Sequence, residues 1–334
     1  MMTSSATRTV ARLAIWALAG AIPIGAMATP VAAALPPAQT QQVPGYFRMA
    51  LGAFQVTALY DGVVGIDPAL LTGGNRKAIE ASLARSFQKR SVPVQTAVNA
   101  YLVDTHKNVI LVDTGTANLF GDKLGLVHAN LGAAGYAPSQ VDTILLTHLH
   151  PDHAGGLLTP SGEMAFSRAR VFVSRADAAY WLSEKTAAGA PENQQMLFKM
   201  ARAAVAPYIA AGRLTVFDDG QTLRDGVVGI RASGHTPGHT AYLFSSRGQN
   251  LLAWGDIVHN AAVQFPHPET AIEYDWDQRQ AVATRRTLFA LSETRKFFVA
   301  GAHIPFPGIG RVHRSGTHRY HWVALDYQAT PGVP

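Results

Sequence analysis

The run His148-Leu149-His150-Pro151-Asp152-His153 limits this chain more than any other part of it. Three imidazoles and a carboxylate fall within six residues, after the apolar segment Val141 to Thr147 and just before Gly155-Gly156. In an extended segment, residues two apart share one side of the chain, so His148 and His150 can converge on one ion. Asp152 and His153 are adjacent and would diverge in a strand. Pro151 and the two glycines predict a turn, which can aim this pair at a second ion. The sequence has no cysteine. That excludes disulfides, thiolate ligands and a cysteine nucleophile, and it leaves a nitrogen/oxygen site suited to borderline divalent ions.

The first forty residues read as something other than fold. Arg8 and Arg12 precede a short apolar run, Leu13 to Ile24, which Pro23 breaks; small-residue sites follow at Ala26-Met27-Ala28 and Ala32-Ala33-Ala34. This is the pattern of a secretory signal, with an apolar core too short for a membrane span. We therefore expect a signal peptide over 1–34, one domain over 35–334, a periplasmic or secreted location and no stable membrane anchor. Leu35 to Val43, rich in Pro and Gln, reads as a flexible lead-in. The formal net charge is +6, and it falls to +4 without Arg8 and Arg12. No stretch clusters Lys and Arg densely enough for a nucleic-acid footprint, so no nucleic-acid partner is expected. A hydrophobic content of 48% over 334 residues suffices for a large core without disulfides.

Phe54 to Tyr60 alternates and meets Asp61-Gly62, which predicts a strand and then a turn. Ile79 to Phe87 reads as a short helix, and Thr96 to Asp104 with Asn108 to Asp113 as a hairpin. Leu124 to Gly135 has helical spacing through Leu124, Val127, Leu131 and Ala134, with Gly135 as the stop. Beyond the histidine run we expect a strand over Ala169 to Ser174, a helix over Ala176 to Lys185 and a longer one over Gln195 to Ala210. Strands at Leu214 to Phe217 and Val227 to Ala232 lead to Gly234-His235. Ala241 to Ser245 and Asn250 to Trp254 close on Gly255-Asp256. A helix over Gln278 to Leu291 and a strand over Phe297 to Ala300 deliver Gly301-Ala302-His303. This order suits an α/β fold of four layers, an αββα sandwich. The alternation alone equally allows a doubly wound α/β sheet.

Motifs decide between the two. Thr147 to Gly156 resembles the HxHxDH motif of the metallo-β-lactamase superfamily. In the same order, Asp113-Thr114-Gly115 resembles its early aspartate at a strand end, Ser233 to His239 its third-motif loop, Gly255-Asp256 its bridging aspartate and Ala302-His303 its last histidine. The resemblance implies the four-layer fold and a binuclear hydrolase. It implies that His148, His150 and His235 bind one ion and that Asp152, His153 and His303 bind the other. Asp256 would bridge them and help position a hydroxide. His239 and Asp113 are assigned supporting places behind the ligands. His106, His128, His259, His267 and His318 read as surface or structural, with His259 and His267 close to the site loops. Zinc is the expected metal, and manganese, cobalt or iron would also suit the donors. Two divalent ions against two aspartates and a hydroxide leave a mildly positive site, suited to a developing oxyanion. The Gly-x-Ser-x-Gly elbow of a serine hydrolase is missing.

Along nearly all of the mature chain the sequence is also similar to the methyl parathion hydrolase group, as in Pro44 to Met49, Ser86 to Lys89, Asn118 to Gly121 and Gly301 to Gly310. That resemblance implies an aromatic pocket wall from Phe120, Trp181 and Phe198, with Phe265 and Phe306 as further wall positions. The spacing from Arg175 to Tyr180-Trp181 is shorter than in the group, which bears on the pocket's shape. An apolar aromatic wall suits a small neutral substrate. The expected reaction is hydrolysis of organophosphate triesters, aryl esters or lactones by a bridging hydroxide, in a homodimer. Alternatives are an acyl-homoserine lactonase, a β-lactamase (no cation for its substrate's carboxylate is evident) and a non-catalytic zinc-binding protein.

Overall fold

In the strand Val94–Asp104 every residue from Thr96 to Val103 is buried; Ala100 and Leu102 enter one core, Tyr101 and Val103 another. A strand that buries both faces needs a layer on each side. The computed structural model describes residues 42–327 except residue 122, together with Ala38; the signal segment expected over 1–34 and the domain start expected at 35 lie outside the described residues.

In chain order the first half contains β1 (Tyr46–Leu51), β2 (Phe54–Ile66), a short β3 (Leu71–Thr72), α1 (Arg76–Arg85), β4 (Val94–Asp104), β5 (Val109–Val112), α2 (Val127–Ala133), β6 (Thr143–Leu145), the single turn α3 (Pro151–Ala154), β7 (Arg170–Ser174), α4 (Arg175–Trp181), α5 (Glu184–Gly189), α6 (Glu192–Ala210) and β8 (Leu214–Phe217). The second half contains β9 (Thr222–Arg224), β10 (Val227–Arg231), β11 (Thr240–Ser246), β12 (Gln249–Ala253), α7 (Ala261–Gln264), β13 (Ala271–Ile272), α8 (Gln278–Thr294), β14 (Phe298–Ala300), β15 (Ile309–Gly316) and β16 (Arg319–Ala324).

One sheet has the order β1-β2-β4-β5-β6-β7-β8 and the other β16-β15-β14-β12-β11-β10-β9. Strands β5 to β8 run parallel, as do β12 and β14. Between the sheets lies a core that takes Val56, Tyr101, Ile110 and Val112 from the first sheet and Tyr242, Phe244, Leu251 and Ala300 from the second. Leu111 of β5 turns outward to the core beneath α2, α4 and α6, and Leu252 and Val299 turn outward to the core beneath α8. The fold is therefore the expected four-layer αββα sandwich. The four segments that carry the motif histidines and Asp256 follow the C-terminal ends of β6, β10, β12 and β14, so both sheets contribute to one cleft. Among the described residues no helix is long and apolar enough to cross a membrane.

Three expectations change. The turn at Asp61-Gly62 is a bulge inside β2, which runs on to Ile66; the register with β4 shifts between Tyr60 and Gly62. Gly62 has φ 135°, and a Cβ there would meet the Lys123 carbonyl oxygen at 1.9 Å. The bulge turns Asp61 out of the ladder to accept bonds from the Thr116 backbone (2.9 Å) and hydroxyl (2.7 Å) and from Val127 N (3.1 Å). The helix expected over Ala176 to Lys185 is two helices, because Ser183 accepts from Thr186 N and starts a second one. Strands β1, β3, β9, β13, β15 and β16 were not anticipated.

Candidate metal centre

Strand β6 ends at Leu145, and Pro151 then begins α3 with His150 at the helix's N-cap, in extended conformation. This is the turn that the sequence calls for. It separates His148 and His150 from Asp152 and His153. The ligating atoms of His148, His150, His235 and Asp256 all lie within 4.8 Å of one another, and so do those of Asp152, His153, Asp256 and His303. Asp256 belongs to both groups.

In the first group His150 Nδ1 lies 2.9 Å from His148 Nε2 and 3.0 Å from His235 Nε2. Asp256 Oδ2 lies 3.2 Å from His235 Nε2. In the second, His153 Nε2 is 3.1 Å from Asp256 Oδ1 and 3.4 Å from Asp152 Oδ2. His303 Nε2 is 3.1 Å from Asp256 Oδ2 and 3.4 Å from Asp152 Oδ2.

The rear nitrogens decide what the front ones can do. His153 Nδ1 faces Asp113 Oδ2 at 2.9 Å, His235 Nδ1 faces Asp275 Oδ1 at 3.0 Å and His303 Nδ1 faces the Ala97 carbonyl at 2.9 Å. Each of these partners only accepts, so each Nδ1 donates and the neutral ring keeps a lone pair on Nε2. Buried lone pairs then point at one another across both groups. His153 Nε2 and Asp256 Oδ1 are buried with no hydrogen-bond partner. Two divalent cations fit this donor set: they would accept the convergent lone pairs and compensate the two aspartates.

Charge reads the same way in the metal-free protein. Burial, followed by its neighbours His153 and His150, holds His148 well below the usual histidine range. Burial and His235 bring His150 down to about 3. Burial also opposes charge on His235 and His303, yet the carboxylates outweigh it. Asp256 and Asp275 raise His235 to about 9, and Asp256 with Asp152 raises His303 to about 10. Asp152 and Asp256 sit well below the usual carboxylate range despite burial, because of the histidines around them.

The sequence matches the metallo-β-lactamase superfamily over residues 94–303. The chain belongs to the metallo-β-lactamase superfamily. Its architecture and donor set make it a metal-dependent hydrolase with a binuclear metal-binding site. Among solved structures it is similar to the hydrolase AbOPH of the beta lactamase superfamily, at 40% identity and a TM-score of 0.82, covering 86% of this chain and 100% of that one. It is also similar to AidC, a dizinc quorum-quenching lactonase solved with the product N-hexanoyl-L-homoserine, at 25% identity and a TM-score of 0.77, covering 85% and 99%. A probable metal-dependent hydrolase from Staphylococcus aureus shares the fold at 17% identity and a TM-score of 0.68, covering 84% and 100%. A search of curated proteins returned no match.

Within this superfamily fold, Asp113 adopts φ 58°, a left-handed conformation that aspartate tolerates better than most residues. Its Oδ1 accepts from Thr147 N (2.8 Å) while Oδ2 faces His153, so it ties the end of β5 to the histidine run. His239 is buried behind the first group. Its Nε2 accepts from Asp256 N (3.0 Å) and its Nδ1 faces the Ala232 carbonyl (3.1 Å), which leaves no nitrogen for the cleft.

Three residues have places that the sequence reading did not give them. His259, expected to be surface or structural, is buried. Its Nε2 lies 3.1 Å from Asp256 Oδ2, and its ring stacks on His303 at 5.2 Å. Its position three residues after Asp256 was the available signal. Asp275 orients His235. Asp177 accepts from Leu149 N (2.9 Å), the Thr236 hydroxyl (2.6 Å) and Gly238 N (2.9 Å), and so clamps the first and third motif loops together. Burial pushes Asp177 up to about 6 against those bonds. The Ser174-x-x-Asp177 spacing marks a helix start, but it does not tell that the carboxylate turns away from its own helix.

The cleft opens into a cavity of about 590 Å³. His150, Asp152, His235, Asp256, His259 and His303 are exposed to it, and Phe120, Tyr180, Trp181, Leu197, Tyr274 and Trp276 form much of its wall. Trp181 packs its edge against His150 at 5.2 Å. Phe198 does not line the cavity. It is fully buried 4.7 Å behind Trp181, on the same face of α6 as Ala201 and Val205, while Asn193, Gln194 and Leu197 face the cavity. Phe265 is likewise outside the wall, stacked on Phe289 and Trp322 beneath α8, and Phe306 packs on Tyr60. His267, the other histidine near the site loops, is buried beside Glu269 and does not line the cavity.

Proposed function

We propose that the protein hydrolyses small esters that are uncharged around the bond to be cut: organophosphate triesters, aryl esters and lactones, in the manner of the methyl parathion hydrolase-like group. The observation that carries this reading is the cavity itself. Donors of both metal-binding groups line it, five aromatic side chains and several aliphatic ones form its wall, and among the described residues no lysine or arginine lines it. An anionic substrate would find no fixed cation there beyond the metals.

We assign His148, His150 and His235 to one ion, Asp152, His153 and His303 to the other, and Asp256 to both. When bound, two divalent ions, with zinc preferred, would supply a water acidified towards neutrality and stabilise the oxyanion of the transition state. The chain's own part is to fix that arrangement. Asp256 presents one carboxylate to both groups and so sets their spacing. Asp113, Asp275 and the Ala97 carbonyl hold three rings in the tautomer that offers Nε2. Trp181 covers His150 on one side and excludes water from it. We assign no general acid among the described residues; a substrate with an acidic phenol or alcohol as leaving group would need none.

Similarity to AidC favours a second reading, an acyl-homoserine lactonase. Zinc-reconstituted protein assayed on methyl parathion, phenyl acetate, dihydrocoumarin and an acyl homoserine lactone separates the two. The first reading expects turnover of the triester or the aryl ester; turnover confined to acyl homoserine lactones would replace it with the second. We further propose a homodimer that is exported to the periplasm or secreted, without a stable membrane anchor.

A further inference from the structure

We infer that the mouth of the cavity is a subsite for a substituted ammonium group, so that the favoured ester carries a cationic tail remote from the bond being cut; this rests on the ester-hydrolase reading above. Glu273 lines the cavity and is exposed. Its carboxylate has no hydrogen-bond or ion-pair partner among the described residues. Around the same mouth stand Tyr274, Trp276 and Phe120, exposed by 49%, 55% and 49%. Tyr180 packs its edge on Trp276 at 6.3 Å. Half-exposed aromatic rings beside an unpaired carboxylate, with no lysine or arginine among the described lining residues, form a surface that one chemical group satisfies on both counts. The charge of a trialkylammonium meets Glu273, and its methyl groups cover the ring faces. A carboxylate tail would be repelled, and a purely apolar one would strip water from Glu273 without pairing it.

The subsite is held in place by the cleft. Glu273 N donates to the Leu70 carbonyl (3.0 Å), Trp276 N to the His235 carbonyl (3.0 Å) and Asp277 N to the Gly234 carbonyl (2.9 Å). Asp275, between the two mouth aromatics, turns inward to His235. The four residues Glu273 to Trp276 thus orient one metal-site histidine and shape the entrance together, so little ordering remains to be done when a tail binds.

The test uses p-nitrophenyl esters of two isosteric acids, one ending in trimethylammonium and the other in tert-butyl, with each rate divided by its hydroxide-catalysed rate. In the metal-loaded enzyme at low ionic strength, kcat/KM is expected to favour the cationic ester about tenfold. The ratio should fall towards one in about 0.5 M salt, as a screened charge pair requires. It should also fall in Glu273→Gln and drop below one in Glu273→Lys. Calorimetric titration of the metal-loaded protein with butyltrimethylammonium tests the subsite without turnover; saturable binding that Glu273→Gln weakens supports it. A wild-type ratio of one or less, a ratio unmoved by Glu273→Gln, or no saturable binding overturns the subsite. Binding of the ammonium ion without hydrolysis of either ester would instead overturn the reaction class and leave the subsite standing.

Discussion

Asp256 gives one oxygen to the His153 side and the other to His235 and His303, and its backbone N–H is held by His239 Nε2 at 3.0 Å. Ligand and support are therefore separable. His150→Ala removes a front nitrogen and is expected to lose at least one of two metal equivalents per chain, measured by plasma mass spectrometry. His239→Ala should retain both; equal loss in the two variants would show that the third-motif histidines are wrongly assigned. The rings also carry a pH signature. Without metal, folded His235 titrates at about 9 and His303 at about 10, against 6.5 for a free histidine. A raised folded value gives stability that is complete below the unfolded pKa and is lost as the pH rises through the folded one. Bound metal holds the same rings neutral. Scanning calorimetry should then show metal-free protein losing thermal stability between pH 7 and pH 10 while metal-loaded protein loses less, and a constant gap between them would contradict the coupling. At this scale the residues that converge in the two groups were legible because each lies in a short motif. His259 was not, since its spacing from Asp256 does not by itself tell which way the ring turns, and Phe198 was misplaced because its helix has aromatic and polar residues on adjacent faces.

Strands β5, β6, β12 and β14 were legible as apolar runs that lead into motif residues. The β15–β16 hairpin was not. Arg319-Tyr320-His321-Trp322 does alternate, but the run is short and β15 is polar after Val312; Val312 and Tyr320 are buried against the α8 layer. The bulge in β2 was also hidden, because Asp61-Gly62 has the composition of a turn and only the pairing with β4 carries the strand past it. Helix α4 couples the elements through Asp177. Asp177→Ala would leave Leu149 N and Gly238 N buried without acceptors, at a cost of about 2–4 kcal/mol. Urea unfolding of the metal-loaded protein measures that cost, and release of metal to a chelator should be faster; unchanged release would mean that the clamp does not hold the site. Phe198→Ala should cost about 3–5 kcal/mol by the same unfolding measurement, since it empties a core position. Its KM for an aryl ester should stay near that of the parent enzyme, and a large KM change with little loss of stability would return Phe198 to the cavity wall.

For the whole molecule, each sheet supplies part of one site: the first brings His148 to His153 and Asp113, the second His235, Asp256 and His303. The site thus exists only when the two sheets pack through their shared core. Fold class was legible because the motifs fall at strand ends in both halves; periodicity alone left a doubly wound sheet open. Substrate choice was less legible, because the cavity wall comes from segments whose spacing the motifs do not fix. Glu273, Tyr274 and Trp276 are placed there by backbone bonds to Leu70, His235 and Gly234, which no motif spacing shows. The central claim, a hydrolase that works through two ions, is tested most directly by stripping the protein with a chelator and returning zinc in steps, with metal content and initial rates of ester hydrolysis followed together. The account predicts binding that ends at two ions per chain and a rate that rises until the second is in place. Full activity at one ion or fewer, or activity that survives complete removal of metal, would contradict it.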